Sequence, residues 1–144
     1  MIKLAHSRKS GFTLIEILVV IAIIGVLAYF LVPRLLGTQD MAKEAAVKAI
    51  MHQLQISLES FNIENETYPV ATSVGIKNLC ENYLMPPNYI GAIPKNPYTG
   101  KAYTDDDVAG KIIYNFDNNS GKYTLTGYNR FGTHKILILS NIDE

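Results

Sequence analysis

Polar and apolar positions divide the chain into three regimes. From Phe12 to Val32 there is no Lys, Arg, Asp, Asn or Gln, and Glu16 is the single charge. As a helix rising about 1.5 Å per residue, this run of 21 residues reaches roughly 30 Å, the thickness of a bilayer's hydrocarbon core. From Gly37 to Ile63 the pattern becomes periodic. Val47, Ile50, Met51, Leu54, Leu58 and Phe61 recur three and four apart, while Lys48, His52, Gln55 and Glu59 fall opposite. That spacing predicts an amphipathic helix whose apolar stripe serves as core for a domain, with Asp40 and Glu44 suited to its N-terminal end. Pro33 stands between the two regimes, where its ring removes a backbone hydrogen bond and crowds the preceding turn. It reads equally as a helix stop or as a tolerated kink in one long helix.

Beyond Asn62 the period shortens. Ser73 to Leu84 reads as a short helix, followed by a rigid surface loop containing Pro86, Pro87, Gly91, Pro94, Pro97 and Gly100. Three strands are predicted at Lys111–Phe116, Lys122–Tyr128 and His134–Ser140, joined by turns at Asp117–Gly121 and Asn129–Gly132. Tyr123, Leu125 and Gly127 alternate with Thr124, Thr126 and Tyr128, so one face can meet the helix and the other solvent. An antiparallel meander laid on one long helix is an α+β fold. The predicted organisation is a leader at 1–11, a transmembrane and assembly helix at 12–32, its amphipathic continuation at 33–63, and a globular α+β head at 64–144.

Charge adds an orientation. The formal net charge is zero, but Lys3, Arg8 and Lys9 all precede Gly11. Removing the leader leaves 10 basic against 13 acidic residues, so the mature chain is slightly acidic. The positive-inside bias places the N-terminus in the cytoplasm and the head on the far side of the membrane. No basic patch indicates nucleic acid. Cys80 is the only cysteine, which excludes an intramolecular disulfide.

Glu16 decides among three readings of the front. The apolar run is too long for a secretory signal peptide, and no small-residue cleavage pattern follows it. An uncut single-pass anchor leaves Glu16 unexplained, because a carboxylate in hydrocarbon is costly without a partner. Cleavage between Gly11 and Phe12 explains it. Phe12 then acquires a free α-amine on the same helix face as Glu16, four residues on. A neighbouring subunit could set its new N-terminus opposite this carboxylate, fixing the stagger between copies.

Lys9-Ser10-Gly11-Phe12-Thr13-Leu14-Ile15-Glu16, followed by an aliphatic helix, resembles the N-terminal signal of type IV pilins and pseudopilins. The resemblance implies a pilin-like fold, cleavage after Gly11 and N-methylation of Phe12 by a prepilin peptidase. It also implies registry through Phe12 and Glu16, and helix-weakening positions at Gly25 and Pro33. The segment Ile93-Pro94-Lys95-Asn96-Pro97-Tyr98-Thr99-Gly100-Lys101-Ala102-Tyr103, with Tyr68-Pro69, Gly75-Ile76 and Leu79 before it, is similar to the middle of major pseudopilins of type II secretion. Tyr98 departs from it, standing where those relatives usually have Trp.

The function implied is a structural subunit of a helical homo-oligomeric filament, a pseudopilus that pushes folded proteins across the outer membrane. An inner-membrane assembly platform and minor pseudopilins are the further partners. The resemblance also admits a type IV pilus pilin for adhesion, motility or DNA uptake. A membrane-tethered binding module is the alternative from another class.

No constellation suggests an enzyme. His6, His52 and His134 are scattered, there is no zinc-type Cys/His spacing, and no phosphate loop or nucleophile elbow is present. Asp105, Asp106 and Asp107 read as a solvated acidic loop or, more sharply, as a calcium site, since hard cations need several oxygen ligands. The major-pseudopilin resemblance implies calcium nearer the C-terminal strands, but Tyr128 to His134 contains no acidic residue, so no metal ligands are assigned. Asn65-Glu66-Thr67 matches a glycosylation sequon, a short and common pattern.

Overall fold

The computed structural model describes residues 11–141, with the backbone alone at 31–36. The basic leader, including Lys3, His6, Arg8 and Lys9, lies outside the described residues, as do the side chains of Pro33 and Arg34. One helix, α1, runs from Leu14 to Asn65. Its helical backbone continues through position 33, so Pro33 does not stop the helix. The chain divides into two compact units, one ending at Thr38 and the other beginning at Gln39.

In the first unit the aliphatic side chains from Phe12 to Phe30 are exposed. Among the described residues no helix is long and apolar enough to cross a membrane. The apolar run is described with its side chains only as far as Phe30.

In the second unit the helical period does what it predicts. Val47, Met51, Leu54 and Leu58 are fully buried, with Ile50 and Phe61 packed at the margin, while His52 is exposed. The helix ends at Asn65, two residues beyond the expected boundary. Glu66 takes a left-handed backbone (φ 57°) and its N–H donates to the Asn62 carbonyl at 2.8 Å. The Asn65 side-chain amide donates to the Phe61 carbonyl at 2.9 Å. These contacts satisfy carbonyls that the helix terminus would otherwise leave open.

The sheet has four strands in the order β1-β2-β3-β4, all antiparallel: β1 Val74–Gly75, β2 Ile112–Asp117, β3 Lys122–Tyr128 and β4 Lys135–Ser140. The Lys122–Tyr128 expectation is met, and its neighbours shift by one residue. Tyr123, Leu125 and Gly127 are buried as the alternation requires. At Gly127 a Cβ would collide with the Met51 sulfur, part of a fully buried side chain that would have to shift to make room.

The expected helix at Ser73–Leu84 needs correcting. Val74 and Gly75 pair with Tyr114 and Ile113 as β1, and α2 starts only at Ile76, running to Leu79 and continuing as a π-helical turn over Cys80–Leu84. Two long-range contacts override local propensity. Asn115 Oδ1 accepts the Ser73 N–H at 3.2 Å, and the Asp105 carboxylate presses against Gly75.

Burial makes the head sensitive to alkali. Desolvation pushes the Cys80 thiol up to about 12, with Glu81 and Asp105 adding to it. Burial likewise raises the phenols of Tyr103, Tyr114 and Tyr123, the last also through Glu59. A raised acid is stabilising below its unfolded value, about 8.5 for Cys and 10 for Tyr, and that contribution is lost as pH climbs toward the folded value. The denaturant midpoint of the detergent-solubilised chain is therefore expected to hold between about pH 7 and 8 and to fall steeply above about pH 10. Part of the tyrosinate absorbance should appear only together with unfolding. Early titration of all nine tyrosines without loss of fold would contradict this.

Candidate assembly site

The front of α1 carries a feature that the residue-by-residue reading missed. Glu16 Oε2 accepts hydrogen bonds from both the backbone N–H and the hydroxyl of Thr13, each at 2.8 Å. The Glu16 N–H in turn donates to Thr13 Oγ at 3.3 Å. This is a capping box: the Ser/Thr-x-x-Glu pattern satisfies helix-terminal donors from both directions. The signal was in the sequence as Thr13-Leu14-Ile15-Glu16, the spacing of a capping box.

Gly11 and Phe12 lie just ahead of the helix and are exposed, so the bond between them is accessible, with no neighbouring side chain near Gly11. The described contacts of the carboxylate all use Oε2 on its own Thr13. Gly25 is helical and has open space around it.

In the head, polar side chains act as fasteners. Glu59 on α1 accepts the Tyr68 hydroxyl at 2.7 Å and the Tyr123 hydroxyl at 3.0 Å, tying helix to sheet. The Tyr68 and Tyr123 rings are 4.7 Å apart, and Tyr114 stacks on Tyr123 while donating its hydroxyl to the Pro69 carbonyl at 2.7 Å. Asn96, in the proline-rich loop, is completely buried. Its amide donates to Asp107 Oδ2 at 3.1 Å and to the Ala109 carbonyl at 2.9 Å, and its Oδ1 accepts the Tyr98 N–H at 2.9 Å. The loop closes on itself through Asn96 N–H to the Lys101 carbonyl and Tyr103 N–H to the Pro94 carbonyl.

The acidic run is therefore more than a solvated loop. Asp105 Oδ1 accepts the Asn78 N–H at 3.1 Å, capping α2 from a distant segment. Asp107 Oδ2 serves Asn96 and also the Thr104 N–H at 3.0 Å. Asp117 binds the Asn119 N–H and the Ser120 hydroxyl, forming the hairpin turn. Among the described residues no group of three or more His, Cys, Asp or Glu is arranged to hold a metal ion.

A helix whose aliphatic side chains have no core of their own, continued into a helix-on-sheet head, is the architecture of a pilin-like subunit. Residues 6–28 match the family model described as the prokaryotic N-terminal methylation motif. The chain is 39% identical to the type II secretion system core protein G of Escherichia coli K12, over 65% of this chain and 70% of that protein. It is 32% identical to the protein of the same name from Dickeya chrysanthemi, over 79% of this chain and 94% of that one. The Klebsiella michiganensis protein is 36% identical over 66% of this chain and 72% of its own length. No solved structure matches. The chain belongs to the type II secretion system core protein G family.

Proposed function

We propose that this chain is the pseudopilin that builds the pseudopilus of a type II secretion system, a structural role and not a catalytic one. The observation that carries the reading is the exposed aliphatic surface from Phe12 to Phe30 with one carboxylate near its start. Removing that surface from lipid costs tens of kcal/mol at roughly 25 cal/mol per Å². Packing against the same helix of neighbouring copies can offset it.

In this reading a prepilin peptidase cuts after Gly11 and methylates Phe12. The subunit waits in the inner membrane as a single-pass protein, N-terminus in the cytoplasm and head in the periplasm. An assembly platform draws it into a filament with minor pseudopilins, and the growing filament pushes folded proteins outward. Glu16 passes from its own Thr13 cap to the amine of a neighbour's Phe12, setting the stagger. Intact mass and N-terminal fragment spectra of the membrane-purified protein should show a mature chain beginning at methylated Phe12. A chain still beginning at Met1 in peptidase-competent cells would refute the processing step.

A further inference from the structure

The core of the head leaves two apolar patches uncovered. One is a tip: Phe131, in the turn between β3 and β4, is 70% exposed, with Val108 and Met41 exposed beside it. Gly132 lies against Val108, where a Cβ would come within 2.9 Å of the Val108 carbonyl oxygen. The Arg130 guanidinium, 6.0 Å from the Phe131 ring centroid, pairs at 3.3 Å with Asp40, the residue before Met41. The other patch lies on α1. Ile56 and Ile63 are 68% and 79% exposed, and a spacing of two turns puts them on one face. That face is opposite the buried stripe of Leu54 and Leu58.

Both patches belong to the unit that begins at Gln39. From Met41 to Ile63, α1 rises about 33 Å, so neither patch covers the other within one copy. The tip is also rigid. Asn129 Oδ1 accepts the N–H groups of Phe131, Thr133 and His134, at 3.2, 3.2 and 3.4 Å. The Asn129 carbonyl accepts those of Gly110 and Gly132. A turn pinned at so many points holds Phe131 outward, with little freedom left to lose on docking.

Charge says what fits the α1 patch. Between Lys48 and Lys77 there is no Lys or Arg, while Glu59, Glu64 and Glu66 all lie there. Glu59 is engaged by Tyr68 and Tyr123; Glu64 and Glu66 are exposed beside Ile63. Two such patches placed face to face would set carboxylate against carboxylate. The tip instead offers apolar side chains together with a cation, since Arg130 keeps 59% of its side chain exposed although it pairs with Asp40. Exposed apolar side chains with a charged rim are the usual make-up of a protein contact.

We propose that the Phe131–Val108–Met41 tip of one copy seats on the Ile56–Ile63 face of a second copy, with Arg130 at its acidic rim. The contact rests on the filament reading above and supplies that reading with an interface between heads. Because the two patches differ, each docking event leaves one of each kind open, and addition continues. A patch that paired with itself would stop at two copies.

Cross-linking in filaments tests this. Cys80 is fully buried, so wild-type protein treated with a short bismaleimide is the blank. Filaments sheared from cells making full-length Phe131→Cys/Ile63→Cys should give a ladder of dimers, trimers and higher products. Mixed filaments of the two single variants should give dimers alone, and either single variant by itself only monomer. Val108→Cys in place of Phe131→Cys should reproduce the ladder, and Ile138→Cys, on β4, should not. Phe131→Ser and Ile63→Ser provide a second measurement, free of cysteine. As exposed positions they should leave the melting temperature of the head unchanged and lower filament yield at least about tenfold. Filaments without a ladder overturn the proposal, as do dimers from Phe131→Cys alone, a ladder through Ile138→Cys, or wild-type yield from both serine variants. Wild-type cells that yield no filaments refute the filament reading itself, and the contact with it.

Discussion

Glu16→Gln is expected to leave the precursor inserted in the membrane and to reduce pseudopilus assembly by about a hundredfold or more, since a buried amine left without its counter-charge is strongly destabilising. Fractionation should find the variant in membranes at wild-type level, while sheared filaments nearly vanish. The capping box allows two roles to be separated. Thr13→Val removes both the hydroxyl that donates to Glu16 and the acceptor for the Glu16 N–H, but keeps the carboxylate. If Glu16 acts only as a helix cap, Glu16→Gln should be the milder change, because glutamine still accepts from the Thr13 N–H and hydroxyl. If it pairs with a neighbour's Phe12, Glu16→Gln should be much the worse. Assembly at wild-type level in Glu16→Gln would refute the registry role and favour a tethered module, for which the charge is irrelevant.

Asn96→Ala should be the most damaging small substitution in the loops of the head. It removes the donor to the Ala109 carbonyl and the acceptor for the Tyr98 N–H, leaving partners in a buried site without hydrogen bonds. Each such group costs about 1–3 kcal/mol, so a loss of about 2–4 kcal/mol is expected. For a domain of this size that is a fall in melting temperature of at least about 10 °C. Asn96→Asp keeps the shape but sets a carboxylate against Asp107 Oδ2, now 3.1 Å from the amide, and should do no better. Asn82→Ala, at an exposed helical position, should stay within about 0.5 kcal/mol. Thermal melts of the three variants in detergent decide the matter; an Asn96→Ala melt matching Asn82→Ala would remove Asn96 from the framework.

These two residues mark the difference between what could and could not be read in the chain. Glu16 is conspicuous because it is the only charge in a long apolar run, and its partner Thr13 lies three residues away. Asn96 sits in a loop whose composition announces rigidity but not its means. Its anchoring partner Asp107 follows eleven residues later, inside an acidic run that suggests either solvent or calcium. Asp105 is similar: nothing near it in sequence predicts that it caps α2 at Asn78, 27 residues earlier. The Ser73–Leu84 helix failed at its start for the same cause, since pairing with β2 and contact with Asp105 outweighed local helix preference.

The apolar run, the amphipathic period of α1, the alternation in β3 and the hairpin turn at Asp117–Gly121 were determined by the amino-acid order alone. Each is a repeat or a short-range contact, and its energetics are settled within a few residues. The two-residue β1, the glycine-lined approach of Met51 to Gly127, the Glu59–tyrosine fastening and the Asn96–Asp107 junction were decided only when distant segments met. Buried polar groups must find partners wherever the fold puts them, and a single sequence does not state which partner that will be.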